Sequence, residues 1–82
     1  MEETLRATIR ERLMAGTLPR KPPQKVWGGR GTRRQCAACD EIISDAEVEI
    51  EVEVETEAAG AARHLFFHPR CRVLWEEERQ AG

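Results

Sequence analysis

Tyrosine is absent from this 82-residue chain, and the aromatic residues are only Trp27, Phe66, Phe67 and Trp75. Four rings make a thin core. A domain this short buries a modest share of its surface and commonly needs a metal or disulfides to hold it. Serine occurs once, at Ser44, so no Ser-His-Asp arrangement worth naming is available. No apolar run approaches the roughly 20 residues that a membrane-spanning helix takes. The N-terminus, Met1-Glu2-Glu3-Thr4, is acidic. It lacks the basic start, apolar middle and small-residue cleavage site of a signal peptide, so a cytoplasmic protein with no membrane contact is expected. Gly28-Gly29-Arg30-Gly31 has neither a strand pattern before it nor a helix pattern after it, which removes the phosphate-loop reading. The length leaves little room for a pocket of a few hundred Å3, and the composition as a whole points away from an enzyme.

Cysteine is also scarce, but what there is falls in a pattern. Three cysteines cannot pair fully as disulfides. Two of them form Cys36-Ala37-Ala38-Cys39, and the third closes His68-Pro69-Arg70-Cys71. C-x2-C and H-x2-C are two-pronged clamps, each suited to one edge of a metal tetrahedron. In a reducing compartment three thiols and a histidine make better sense as metal ligands than as a redox pair with a spare cysteine. The expected site is therefore one structural Zn2+ held by Cys36, Cys39, His68 and Cys71. All four positions of a tetrahedral ion are then filled, leaving none for water or substrate. His64 breaks the paired spacing and is read as a strand residue with no metal role.

The net charge of -2 hides a segregation. Residues 17–35 hold six basic residues, Arg20, Lys21, Lys25, Arg30, Arg33 and Arg34, and no acidic one. Residues 36–57 hold nine acidic residues and no basic one. Such asymmetry speaks of partners more than the average charge does.

Taken in order, residues 3–15 carry Leu5, Ile9 and Leu13 at i, i+4 and i+8, with Met14 beside them. This predicts a helix with one narrow apolar stripe, ended by Gly16 and then Pro19. A helix of about this length is marginal alone, so the stripe is expected to pack on its own domain. Pairing with a second copy or a partner is the alternative. Residues 18–35 are rich in proline and glycine and predict no regular element. Trp27 is expected to fold down onto the domain as an anchor, with the rest either a mobile basic arm or a strap across the surface.

After the cysteine pair, Ile42 and Ile43 can fill the space behind the metal. Residues 47–55 alternate strictly, with Val48, Ile50, Val52 and Val54 on one face and five glutamates on the other. That is a strand. A loop over 56–62 leads to a returning strand over 63–67, whose Leu65 and Phe67 join the valines. Pro69 at a first helical position opens a second helix over 69–80. His68 then stands at the N-cap and Cys71 on the first turn. Leu74 and Trp75 continue that face inward, while Glu76, Glu77, Glu78 and Arg79 point outward. Three segments result, 1–16, 17–35 and 36–82, within one domain. The glutamate row is a solvated face, or it is met by the chain's own basic stretch, or it is met by a basic partner.

The order knuckle, hairpin, helix, with the spacing C-x2-C-x28-H-x2-C, is that of a treble clef, a small zinc-stabilised α+β domain. Residues 29–75 resemble the zinc fingers of the poly(ADP-ribose) polymerase type. The likeness includes the basic run Gly29-Arg30-Gly31-Thr32-Arg33-Arg34 before the first cysteine, Ile42 after the knuckle, and Phe67-His68 leading to Cys71 and Trp75. The N-terminal helix is unmatched. The resemblance implies that Cys36, Cys39, His68 and Cys71 are the zinc ligands. It also implies that the finger contacts DNA. The chain's own basic stretch, Arg20, Lys21, Lys25, Arg30, Arg33 and Arg34, is available for the phosphates of DNA or RNA. The residues themselves leave a second possibility open. A basic or apolar protein partner could be met by the acidic hairpin face or by the helical stripe of residues 5–13.

Overall fold

The fold is taken from a computed structural model that describes residues 2–56 and 60–81. Two helices and three strands follow in the order α1 (Glu2–Ala15), β1 (Lys25–Arg30), β2 (Val48–Glu55), β3 (Ala62–Phe67) and α2 (Pro69–Ala81). The strands form one antiparallel sheet in the order β1-β2-β3. Helix α2 packs on β2 and β3, and α1 packs on α2.

The apolar stripe of α1 does what its spacing requires. Ile9 and Leu13 are buried and Leu5 is packed against the same core. Met14, one step round the helix, stays 81% exposed. Gly16 takes a φ of +81°, a left-handed conformation that glycine adopts at little cost, and this lets the chain leave the helix. The amide of Leu18 then reaches back to the carbonyl of Arg12 at 3.1 Å, which tucks the Leu18 side chain into the core. Trp75 is fully buried, stacked on Phe67 with ring centres 5.2 Å apart. Its indole N–H donates to the carbonyl of Pro19 at 3.0 Å, so the largest core side chain leaves no polar atom unpaired. Val52, Val54, Leu65, Ile43 and Leu74 complete the core.

Several expectations need correcting; Ile43 is buried, but Ile42 is 55% exposed and fills no space behind the metal site. Residues 25–30 are not irregular. They form β1, paired with β2 from Lys25 opposite Glu53 to Arg30 opposite Val48. Pro22 and Pro23 precede this strand, and its glycines are tolerated because an edge strand needs main-chain pairing rather than a packed side-chain row.

The alternation of β2 is also interrupted at its start. Val48 is exposed at 53% and Glu49 is buried at 8%, because Thr32 donates both its N–H (3.2 Å) and its hydroxyl (2.7 Å) to the Glu49 carboxylate. Trp27 is no core anchor. It lies on the outer face of the sheet, 43% exposed, stacked on His64. Glu78 does not point outward but is buried between the helices. The reason is Arg6 and Arg10 of α1, which donate to its two oxygens at 2.8 and 2.7 Å. The loop expected over 56–62 falls partly on 57–59, outside the described residues.

Candidate metal centre

The turn carrying Cys36 and Cys39 is closed by its own backbone. The Asp40 amide donates to the Cys36 carbonyl at 3.1 Å, and the Cys36 amide to the Glu41 carbonyl at 2.9 Å. Asp40 takes a φ of +68°, a left-handed position that aspartate tolerates better than most residues. The Ala38 amide points at the Cys36 sulfur, 3.5 Å away. Flanking this turn, Gln35 and Ile42 make a single bridge. Two other elements hold the turn in place. Ala37 donates to the carbonyl of Phe66 in β3 at 2.8 Å. Arg12 of α1 donates to the Ala37 carbonyl at 2.9 Å and to both oxygens of Asp40 at 3.0 and 2.5 Å. Nothing in the spacing of α1 pointed to Arg12, since its partners lie 25 and 28 residues away.

The other half of the site comes from β3 and α2. The Arg72 amide bonds to the His68 carbonyl at 3.0 Å, which makes His68 the residue that caps α2 and places Cys71 on the first turn. The donor atoms of Cys36, Cys39, His68 and Cys71 all lie within 4.8 Å of one another. The Nδ1 atom of His68 faces the Cys39 sulfur at 3.5 Å and the Cys71 sulfur at 4.0 Å. A tetrahedral ion with metal–sulfur bonds of about 2.3 Å and metal–nitrogen bonds of about 2.0–2.1 Å puts sulfur and nitrogen about 3.5 Å apart. The four residues are therefore positioned to coordinate one metal ion, through Nδ1 of the histidine.

The thiols sense how close they are. Cys36 is held well below the ordinary thiol range, to about 4, because the Cys71 thiol donates to its sulfur and nearby backbone amides reinforce this. Cys71 is pushed up by the same hydrogen bond and by burial. Cys39 is pushed up first by burial and then by the charge on Cys36. The cluster thus favours one thiolate, with protons kept on the other two sulfurs. A divalent cation reverses that preference, so uptake of metal releases protons.

The six basic residues expected at a nucleic-acid contact have different surroundings. Lys25 and Arg30 are the two ends of β1. Lys21 stands 3.9 Å from Glu55, and Arg33 pairs with Asp45 at 3.3 Å. Arg34 lies over the ring of Phe66, 4.2 Å from its centre. Arg20, Lys25 and Arg30 form no ion pair among the described residues.

The outer face of the sheet, with Glu51 and Glu53 at its centre, brings other residues together. In register, Trp27, Glu51 and Phe66 make one row across it, and Lys25, Glu53 and His64 the next. His64 bridges the rows, with Nδ1 2.8 Å from Glu51 and Nε2 3.6 Å from Glu53. It has no part in the metal cluster. A depression of 460 Å3 opens beside the end of α1, over Leu13, Leu18 and Val54 with Lys21, Glu55 and Arg63 at its rim. The chain therefore has more room for a pocket than its length suggests. No family model, no curated protein and no solved structure matches the chain. No helix among the described residues is long and apolar enough to cross a membrane.

Proposed function

We propose that this is a zinc-stabilised, non-enzymatic interaction module that binds a protein partner through the outer face of its sheet. Three thiolates and one imidazole are a donor set suited to zinc, and a closed set of four protein ligands is the mark of a structural rather than a catalytic ion. The order of turn, two strands and helix around that set supports a treble clef of the kind found in poly(ADP-ribose) polymerase-type fingers. The placement of the basic segment carries the choice of partner. It is built into the sheet as β1, next to the glutamates of β2, rather than left as an arm free to follow a phosphate backbone. A row of carboxylates at the centre of the same face would repel phosphate, whose neutralisation by lysine and arginine supplies most nucleic-acid affinity. An exposed tryptophan beside half-exposed carboxylates suits instead a cationic side chain on a protein, met by ring and charge together.

Nucleic acid is the second reading. It rests on Arg20, Lys25 and Arg30, which are free of ion pairs among the described residues, and on Trp27 as a stacking ring. Titration of the zinc-loaded protein with nicked, single-stranded and intact DNA at two salt concentrations separates the two readings. Binding to a lysine- and arginine-bearing peptide, with the emission of Trp27 responding, is the expected result. DNA affinity that falls steeply with salt, together with no response to the peptide, would overturn it.

A further inference from the structure

His68 has two ring nitrogens, and the metal cluster uses one. Nδ1 faces the sulfurs of Cys39 and Cys71, so Nε2 is turned away from them. What Nε2 meets is Glu47, whose Oε1 stands 3.8 Å from it, an electrostatic contact longer than a hydrogen bond. Glu47 reads from the sequence as the first member of a solvated row, but its surroundings set it apart from the others. Its carboxylate accepts the Ser44 amide at 2.9 Å, and its own amide returns a bond to the Ser44 carbonyl at 3.1 Å. Its carbonyl accepts the Gly31 amide at 2.8 Å. The side chain is thus fixed at its tip and the backbone on both sides of it, on the turn that leads into β2.

We propose that Glu47 is a positioning residue for the metal centre: its negative charge beside Nε2 favours the His68 proton there, and so presents Nδ1 as the donor. The inference rests on the zinc reading above. A ligating imidazole commonly donates its second N–H to a carboxylate or carbonyl, which fixes its tautomer and orientation and strengthens it as a ligand. The same logic gives Arg12 a complementary place, because three thiolates on a divalent ion leave one negative charge over. Its guanidinium is pinned on Ala37 and Asp40, on the turn that carries both cysteines.

The test compares the wild type with Glu47→Ala, Glu47→Gln and, as a control from the same row, Glu55→Ala. Zinc affinity is measured by competition with a chromophoric chelator. The tautomer of His68 and the water exchange of its Nε2 proton are read by nitrogen-15 NMR in the zinc-loaded proteins. Losing a second group of this kind typically weakens metal binding about 10–100-fold. Glu47→Ala should fall in that range and lose protection of the Nε2 proton. Glu47→Gln should lie between it and the wild type, and Glu55→Ala should match the wild type within about threefold. Equal affinity for Glu47→Ala and the wild type would overturn the proposal. So would equal weakening by Glu55→Ala, since that is the effect of a general negative field. Weakened binding with the Nε2 proton still protected would reduce Glu47 to a part of the turn, and the proposal would fail. Cobalt substitution of the wild type keeps the two levels apart. Without thiolate-to-cobalt absorption the zinc reading itself fails, whereas with it the variants judge Glu47 alone.

Discussion

Gly31 is where the basic segment is locked to the rest of the domain, and replacing it tests that lock. It is a buried residue between β1 and the turn that carries the cysteines. A Cβ on this residue would stand 1.9 Å from the carbonyl oxygen of Ser44, 2.8 Å from its carbon and 3.1 Å from the carbonyl of Ile43. These are backbone atoms, so no side chain can swing aside. The two segments would have to part by about 1 Å or more to restore van der Waals contact.

Three backbone bonds span this gap: Gly31 to Glu47 at 2.8 Å, Arg33 to Ile43 at 2.9 Å and Ile43 to Arg34 at 2.8 Å. Overpacking of this kind costs about 1–3 kcal/mol, and losing one or two of the bonds adds about 1 kcal/mol each. Gly31→Ala should therefore destabilise the zinc-loaded protein by about 2–5 kcal/mol. Gly29, two residues earlier, is the internal control. A Cβ there meets nothing within 4 Å, so Gly29→Ala should be neutral or slightly stabilising through its effect on the unfolded chain. Urea denaturation of both variants at fixed zinc, followed by circular dichroism, reads the difference. If Gly31→Ala unfolds at the wild-type midpoint, residues 25–34 are not clamped to the domain. The case against a free basic arm then falls with it.

Other perturbations follow from the same contacts. Chelation, or Cys71→Ser, should unfold most of the chain, because in small metal domains the free energy of binding is free energy of folding. A native near-ultraviolet signal from Trp75 after chelation would refute this. Glu78 titrates below the ordinary glutamate value of 4.5 because Arg10 and then Arg6 donate to it. A depressed folded pKa gives stability that is present above that value and lost as pH falls through the folded one. The stability gap between the wild type and Glu78→Gln should therefore be full at neutral pH and close as pH falls below the ordinary glutamate value and through the lower folded one. A gap independent of pH would show that the carboxylate's charge is not what Arg6 and Arg10 hold. Trp27→Ala should leave the unfolding midpoint close to that of the wild type, since the ring touches His64 and not the core, while abolishing the response to a basic peptide. A large loss of stability would make Trp27 a structural residue after all.

The parts of this fold that could be read from the chain are those whose cause is local. The period of residues 5–13, the alternation of Ile50, Val52 and Val54, and Pro69 at a helix start each act within a few residues. The two clamps of ligands are likewise short. Strand β1 escaped notice because an edge strand is made by its neighbour: Lys25–Arg30 has no period of its own, and its pairing partner lies 18–28 residues on. Glu49 and Glu78 were misplaced for the same reason. A buried carboxylate is decided by its donors, and Thr32, Arg6 and Arg10 are distant in sequence. The roles of Arg12 and Glu47 are tertiary too. No spacing rule relates an arginine on the first helix to a turn 28 residues away, or a glutamate on an alternating strand to a histidine 21 residues on.

Those tertiary contacts change what the metal centre holds together. From spacing alone, the four ligands tie a turn to the start of one helix and fix the hairpin between them. In the folded chain the cysteine turn is also the point on which the other elements close. Arg12 brings α1 to it, Phe66 brings β3, and the Ile43–Arg34 bond brings the strap that continues β1. Glu47 brings the start of β2 to the opposite side of the histidine. Helix α1 then leans on α2 through Ile9, Leu13 and the Glu78 pairs, and α2 carries Cys71. A break at the turn is therefore felt at both ends of the chain. The N-terminal helix is thereby tied to the same unit as the four ligands. Its stripe is spent on the chain's own core, with Ile9 and Leu13 buried and Leu5 packed against them.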